Sequence, residues 1–112
     1  MLAKANRIVA GTDYRRLVRS GRRARGGLVL AYGRRTSPDA PLRVGVIVAK
    51  NVGKAVVRNR VRRRIKAVAW ELARETGGWD VVLRALPPTA RCDFASIDQD
   101  VRRAVGAIVE RS

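Results

Sequence analysis

The fold depends most on the sequence KNVGKAVVRNRVRRRIK, residues 50–66. Through this stretch and the next two turns, apolar residues recur at steps of three or four, at Val57, Val61, Ile65, Val68 and Leu72. This spacing stacks apolar side chains along one stripe of an α-helix. We therefore expect a long helix from about Val52 or Lys54 to Thr76, with the stripe facing a hydrophobic core.

The remaining surface of that helix is cationic. Residues 50–66 hold eight Lys or Arg and no acid, whereas a helix stabilised by its own ion pairs would place acids three or four residues from its cations. A solvated charged surface is the simplest interpretation of such a run, but repulsion among so many cations favours a polyanionic partner. Arg outnumbers Lys by 21 to 4 in the chain, and planar guanidinium groups suit bidentate phosphate contacts and stacking on bases.

Length and charge distribution predict one domain, residues 1–112, with room for a single modest core. The formal net charge is +16 and is unevenly placed. Residues 1–70 hold 19 basic residues and two acids, whereas residues 71–112 hold six basic residues and seven acids. A basic surface is therefore expected in the first two thirds of the chain, on a protein whose 46% apolar content is ordinary for a globular domain.

Composition excludes several classes of site and of location. No apolar run approaches the length of a membrane span and the N-terminus has no apolar signal core, so we expect a cytoplasmic protein without a membrane partner. Cys92 is the only cysteine and histidine is absent, so the usual general base and the usual zinc ligand are missing. The two acids of the basic region, Asp13 and Asp39, fit a helix start and a turn. We therefore expect neither catalytic side chains nor a metal site in the protein.

A short helix is expected near the N-terminus. Thr12 is placed to cap it, and the helix would continue to about Ser20. Tyr14, Leu17 and Val18 share its apolar side. On spacing alone, Tyr14 is either a core aromatic residue or a contact surface for a ligand.

Several strands are expected after this helix. Residues 22–25 predict a brief strand or extended link, and residues 28–32 predict a strand on which Tyr32 shares a face with the two leucines. Residues 43–49 are an almost continuous apolar run, typical of a central strand covered on both faces. Residues 79–85 predict a further apolar strand beyond the long helix.

The last element is expected to be a helix capped by Asp93 or Ser96. Its core stripe consists of Phe94, Ile97, Val101, Ala104 or Val105, and Ile108. The order of elements is then helix, strands, long helix, strand, helix. This order predicts an α+β fold in which a small mixed sheet is packed with helices.

Three segments in a fixed order carry a resemblance to a known family. The run RVGVIVAK at residues 43–50 is followed by VGKAVVRNR at residues 52–60 and by Arg62-Arg63. In this order the segments closely resemble the bacterial ribonuclease P protein component, whose signature is the Arg58-Asn59-Arg60 core with its basic extension. The resemblance covers nearly the whole chain. It implies that the strand–helix–strand unit around the long helix is a left-handed crossover, against the usual right-handed rule.

The resemblance implies a function. In bacterial ribonuclease P, an RNA subunit uses Mg²⁺ to hydrolyse precursor tRNA and remove its 5′ leader, while the small protein binds the RNA subunit and the leader. We therefore expect this chain to be the protein subunit of an endoribonuclease and to be monomeric by itself. Its expected partners are the catalytic RNA subunit and precursor tRNA.

The same resemblance implies two sets of site residues. The contact with the catalytic RNA is assigned to Lys50, Lys54, Arg58, Asn59, Arg60, Arg62, Arg63 and Lys66. A cleft for the single-stranded leader is assigned to Tyr14, Val18 and Tyr32. The family has an aromatic residue where this chain has Val18, and Lys66 stands where an arginine is common. Stacking at the first position and a bidentate contact at the second are therefore lost.

Two other classes of nucleic-acid-binding protein fit the composition. A structural RNA-binding protein, such as a small ribosomal protein, has a similar size and charge, and the ordered motif and the cleft aromatics favour ribonuclease P over it. A DNA-binding regulator is less favoured, because the sequence has no helix-turn-helix pattern, dimerisation heptad or zinc-finger spacing. The identity of the RNA that co-purifies with the protein would distinguish these classes.

Overall fold

Four strands and three α-helices are arranged along the part of the chain that the structure describes. The structure is a computed structural model and describes residues 4–110. The strands are β1 (Arg22–Arg25), β2 (Val29–Arg35), β3 (Arg43–Ile47) and β4 (Trp79–Ala85). The α-helices are α1 (Gly11–Ser20), α2 (Ala55–Glu75) and α3 (Phe94–Glu110). Short 3-10 helical turns occupy Lys4–Asn6, Lys50–Val52 and Pro87–Arg91.

The sheet is mixed, and its strand order is β1-β2-β4-β3. β2 pairs antiparallel with β1 and with β4, whereas β3 pairs parallel with β4. A parallel pair needs a crossover connection, and α2 supplies it. The predicted α+β fold with a small mixed sheet is confirmed, while the left hand of the crossover stays a prediction of the resemblance.

α1 and the two longer helices pack on opposite faces of the sheet. Side chains alternate along a strand, so β2 directs Leu30 and Tyr32 to one face and Val29 and Ala31 to the other. Leu17 of α1 is buried in a cluster with the first pair. Apolar residues of α2 and α3 are buried in a larger cluster with the second pair. The predicted single core is thus divided in two by the sheet.

The predicted stripe of the long helix is confirmed. Its members are buried or partly buried in the larger cluster: Val57, Val61, Ile65, Val68 and Leu72. The bounds also agree with the prediction, because α2 begins directly after Lys54 and ends directly before Thr76. The same stripe therefore fixes which side of α2 faces solvent.

β3 lies at the edge of the four-stranded order, so the predicted central position for residues 43–49 is wrong. The strand ends at Ile47 and pairs with β4 on one side. On its other side, the Ile8 amide donates a hydrogen bond to the Val44 carbonyl at 3.0 Å. Helices cover both faces and the segment before α1 covers part of the edge. An apolar run therefore did not distinguish this edge strand from a central one.

α1 begins two residues earlier than a cap at Thr12 predicts. Ala10 occupies the N-cap position, and no side chain caps the helix, so the predicted cap at Thr12 is wrong. The predicted apolar side is confirmed at Leu17, which is buried. Val18 is 37% exposed on the same side of the helix and is therefore open to a ligand.

α3 begins as predicted at one of the two candidate caps. The Ser96 amide donates a hydrogen bond to Asp93 Oδ1 at 2.9 Å, and hydrogen bonding with Ser96 lowers the pKa of Asp93. Phe94 was predicted in the core stripe but is 42% exposed, because it opens the helix one turn before the first buried residue, Ile97. The rest of the predicted stripe is buried.

Candidate nucleic-acid interface

The predicted RNA-binding residues cover the solvent side of α2 and the turn before it, a surface that we call the α2 cationic face. Its members are Lys50, Lys54, Arg58, Asn59, Arg60, Arg62, Arg63 and Lys66. Lys50, Lys54, Asn59 and Arg63 are exposed, and the other four are partly buried. Within residues 4–110, no ion pair involves a Lys or Arg of this face. Its positive charge is therefore not compensated by the described part of the protein.

Some arginines of this helix also hold the fold together. Arg60 Nη2 donates a hydrogen bond to the Ala90 carbonyl at 2.9 Å, and Arg64 Nη1 donates one to the Cys92 carbonyl at 2.9 Å. Both contacts tie α2 to the segment between β4 and α3. Arg62 Nη1 donates to Asn59 Oδ1 at 2.9 Å, which orients two members of the face. Arg60 therefore has a structural contact in addition to its predicted role.

A second feature is an open cavity of about 410 Å³ between α1 and the sheet, which we call the cleft. It is lined by Tyr14, Arg15, Val18, Arg19, Ile47 and Arg84. α1 forms one wall, and β3 and β4 supply the other two residues. An aromatic ring, two aliphatic side chains and three guanidinium groups thus surround one space. This combination suits a single-stranded nucleic acid, which offers base faces for stacking and phosphates for charge contacts.

The Tyr14 ring is held against the backbone of β3. Gly45 allows this contact, because a Cβ added there would lie 2.5 Å from Tyr14 Cζ. Burial raises the pKa of the Tyr14 hydroxyl, while a hydrogen bond with the Val46 backbone and the positive charge of Arg62 partly oppose this increase. Ile47 at the end of β3 lines the cleft, and the chain continues from there through the turn at Lys50–Val52 into α2, so the α2 cationic face borders the cleft.

Tyr32 lies on the predicted face of β2 but below the protein surface. It is 6% exposed and belongs to the small cluster with Leu17, Leu30 and Val82. The guanidinium carbon of Arg23 lies 5.9 Å from the centre of its ring. Tyr14 packs against this cluster, so Tyr32 is part of the layer that supports the cleft wall.

A network of ion pairs connects α1 to the first residues of β3 and β4, at the other end of these strands from the cleft residues Ile47 and Arg84. Asp80 is 2% exposed on β4 and accepts hydrogen bonds from Arg43 Nε at 2.9 Å and Arg43 Nη2 at 2.6 Å. The hydrogen bond to Asp80 raises the pKa of Arg43. Arg43 Nη2 also lies 3.8 Å from the Asp13 carboxylate of α1. The buried Asp80 charge is thereby paired, and α1 is linked to two strands.

Sequence reasoning missed four of the six cleft residues. Arg15 and Arg19 flank the predicted residues Tyr14 and Val18 at a spacing of one helical turn, which is a signal that was available. Arg84 interrupts an apolar strand, which also marks it as unusual. Ile47 gives no signal of this kind, because it ends an apolar run and lines the cleft only through its strand position.

Neither a cluster of three metal-ligand side chains nor a membrane-spanning helix is found among the described residues. Among residues 4–110, no three His, Cys, Asp or Glu side chains come together to hold a metal ion. In the same range, no helix combines the length and apolar character of a membrane span.

Comparison with curated proteins identifies close sequence relatives. A sequence profile for the family described as Ribonuclease P matches residues 2–109. The Ribonuclease P protein component of Clavibacter michiganensis is 42% identical over 106 residues, which is 94% of this chain and 94% of that protein. The protein of the same name from Kocuria rhizophila is 42% identical over 115 residues, which is 99% of this chain and 98% of that protein.

Comparison with solved structures finds the same fold. The RNase P protein of Staphylococcus aureus superimposes with a TM-score of 0.82 at 22% identity, over 93% of this chain and 95% of that chain. The RNase P protein of Thermotoga maritima superimposes with a TM-score of 0.75 at 19% identity, over 87% of this chain and 92% of that chain. At these identities the structural likeness concerns the fold, which agrees with the sequence relatives.

Proposed function

This chain belongs to the ribonuclease P protein family, and from that membership we propose how its surfaces bind RNA. A ribonuclease P protein component is part of a ribonucleoprotein endoribonuclease that acts in tRNA processing, and its partner is a catalytic RNA. We propose that the substrate of this assembly is precursor tRNA, from which it removes the 5′ leader. The observation that carries the proposal is that an uncompensated cationic helix face borders a cleft with an aromatic wall.

The α2 cationic face is proposed to bind the catalytic RNA subunit. Five of its seven cations project from α2 itself, so these five meet phosphates at a fixed spacing. Arg63 and Lys54 are exposed and unpaired within the described residues, so binding RNA would relieve repulsion that the folded protein otherwise bears. Arg60 is proposed to contact RNA while its Nη2 remains bonded to Ala90.

The cleft is proposed to bind the single-stranded leader. Tyr14 offers a ring for stacking, Val18 offers an apolar contact and Arg84 offers a positive charge from β4. Base stacking on an aromatic side chain contributes roughly 1–3 kcal/mol per base and tolerates any sequence. Tyr32 is proposed to act indirectly: it packs beneath the cleft wall and supports Tyr14, which contacts the leader.

The chemistry is proposed to belong to the RNA subunit. Hydrolysis of a phosphodiester needs an activated nucleophile and stabilisation of charge. This chain has no histidine, its buried Asp80 is paired with Arg43, and its described residues contain no carboxylate cluster for a metal. We therefore assign Mg²⁺ to the RNA subunit, while the protein holds and orients RNA.

The remaining features of the proposal concern the protein as a whole. We propose that residues 1–112 act as one domain, that the protein subunit is monomeric by itself, and that it acts in the cytoplasm. The two hydrophobic clusters on one shared sheet support a single folding unit.

The direct experiment compares the protein freed of RNA, its cognate RNA subunit, and the two together, on 5′-labelled precursor tRNA with Mg²⁺. We expect the protein alone to be inactive and the assembled enzyme to release the leader. The enzyme should also bind leader-bearing tRNA more tightly than mature tRNA. Turnover by RNA-free protein would overturn the assignment of chemistry. Co-purification with ribosomal RNA instead of the RNA subunit would favour a ribosomal protein.

A further inference from the structure

The side of α1 that faces away from the sheet carries a cationic surface that the proposed function does not use. Its residues line a depression of about 260 Å³, which we call the α1 outer face: Thr12, Arg15, Arg16, Arg19 and Ser20. The three arginines and both hydroxyl residues are exposed. Thr12 and Ser20 add polar groups, and none of the described residues that line the depression is large and apolar. The surface is therefore unlike a protein-binding site, which usually has apolar or aromatic anchors.

The positive charge of this face is uncompensated. Asp13 is the only acid of α1, and its carboxylate lies on the inner side, 3.8 Å from Arg43. Within residues 4–110, Arg15, Arg16 and Arg19 take part in no ion pair. Arg15 and Arg19 are separated by about 6 Å along the helix axis, a spacing comparable to that of successive phosphates in an extended strand.

The α1 outer face is continuous with the cleft. Arg15 and Arg19 line both depressions, whereas Arg16 lines the outer one and not the cleft. On the β3 side of the cleft, the Tyr14 ring lies against Gly45, and β3 leads through the turn at Lys50–Val52 into α2. The three surfaces therefore follow one another in the order α2 cationic face, cleft, α1 outer face.

We propose that the α1 outer face is a second phosphate-binding track, which takes leader nucleotides that have passed through the cleft. The inference rests on the proposed function, because it places the catalytic RNA on α2 and the leader in the cleft. Nucleotides close to the cleavage site then lie on the α2 side. A longer leader continues over α1, where its phosphates meet Arg15, Arg19 and finally Arg16. The ligand is a single-stranded RNA backbone, contacted without regard to base sequence.

Arg16 gives the sharpest test, because it lines this depression without lining the cleft. The assembled enzyme is prepared with Arg16→Gln and with Arg16→Lys, and its affinity is measured for precursor tRNAs whose leaders grow by one nucleotide at a time. Arg103→Gln is the matched control, since Arg103 is exposed on α3, on the opposite face of the sheet. All variants replace exposed side chains, and thermal melting verifies that they fold.

For Arg16→Gln we expect a loss of affinity for precursor tRNA that appears only when the leader exceeds a threshold length. The loss should be roughly two- to fivefold, the size of one solvent-exposed charge contact. For long leaders the slope of log affinity against log salt should fall by about 0.7, as for one phosphate contact to a single strand. Arg16→Lys should retain most of the affinity, because it keeps the charge.

Three results would overturn the proposal that the α1 outer face binds leader phosphates. A loss equal at every leader length, including mature tRNA, would place Arg16 on the tRNA body or the catalytic RNA. A loss no greater than that of Arg103→Gln would show a solvated surface. Failure of Lys to replace Arg would indicate stacking instead of phosphate binding. Failure of the proposed function looks different: the wild-type enzyme would then bind leader-bearing and mature tRNA equally, whichever residue occupies position 16.

Discussion

The α2 cationic face and the cleft differ in how the sequence builds them. The cationic face comes from one helix and the turn before it, so helical periodicity alone places its side chains. The cleft takes Tyr14 and Val18 from α1, Ile47 from β3 and Arg84 from β4, and these elements are distant in sequence. A surface on one element can therefore be predicted from spacing, whereas a cleft between elements depends on strand order and helix placement.

The two regions also differ in how charge is balanced. The cationic face has no carboxylate partner within the described residues, so its contacts with RNA should depend strongly on salt. The helix that forms one wall of the cleft, α1, is instead tied to the sheet by ion pairs, because Arg43 pairs with Asp80 and also reaches Asp13. The shape of the cleft is thus held by internal contacts, and leader binding should depend on geometry and stacking as well as charge.

The largest effect is expected from removing cations of the α2 cationic face. Replacing Arg58, Arg63 and Lys66 together by Gln should lower the slope of log affinity for the RNA subunit against log salt by about two, since each phosphate contact contributes somewhat less than one. Arg60 is left in place because its bond to Ala90 stabilises the fold. Salt titrations of RNA binding measure the slope.

The matched control for this triple removes three exposed arginines elsewhere, at Arg74, Arg91 and Arg103. It changes the net charge by the same amount without touching the α2 cationic face. An equal reduction of the slope in both triples would mean that only net charge matters, and the specific role of the face would be refuted.

Local patterns predicted much of the fold but not the contacts that join distant elements. The stripe of α2 and the cap at Asp93 were accessible from spacing, whereas the cleft position of Tyr14 was implied only by the family resemblance. The buried Asp100 was not: its Oδ2 accepts hydrogen bonds from the amides of Leu28 and Val29, both at 2.9 Å. These partners are 72 and 71 residues away in sequence, so no periodicity reveals them. The pairing of Asp80 with Arg43 was hidden for the same reason.

The next largest effect concerns stacking in the cleft. Tyr14→Ala should weaken binding of leader-bearing tRNA by roughly 1–3 kcal/mol, the contribution of one stacked base, and should leave mature tRNA unaffected. Tyr32→Ala instead removes a buried ring, so its main expected effect is a loss of folding stability of about 3–5 kcal/mol. Binding assays with both tRNAs and denaturant unfolding separate the two roles. The contrary outcome is a Tyr32→Ala protein that keeps its folding stability and loses as much leader affinity as Tyr14→Ala. That result would show that the leader contacts the Tyr32 ring directly.

A smaller effect on leader binding is expected from a substitution at Gly45, whose backbone lies against the Tyr14 ring. A Cβ at position 45 would overlap the Tyr14 ring, so Gly45→Ala should displace the ring and reduce leader affinity a few-fold. Overpacking of this kind also costs about 1–3 kcal/mol of folding stability. Gly106→Ala is the control, because a Cβ there meets no atom within 4 Å. Unchanged leader binding in a stable Gly45→Ala protein would show that the position of the Tyr14 ring does not matter.

The smallest effect concerns the Tyr14 hydroxyl and pH. Burial raises its pKa above the ordinary value of 10.0, against the opposing influence of Val46 and Arg62. The unfolded chain therefore loses this proton first, so the native state holds more protons once the pH exceeds about 10. The contribution of Tyr14 to stability is complete below that pH and is lost as the pH rises through the higher, folded pKa.

Tyr14→Phe removes this titration but keeps the ring, so it should bind the leader normally at neutral pH. Its melting temperature should fall less steeply than that of the wild type above about pH 10. The two proteins differ only in this hydroxyl, so identical pH profiles would contradict a buried Tyr14 hydroxyl.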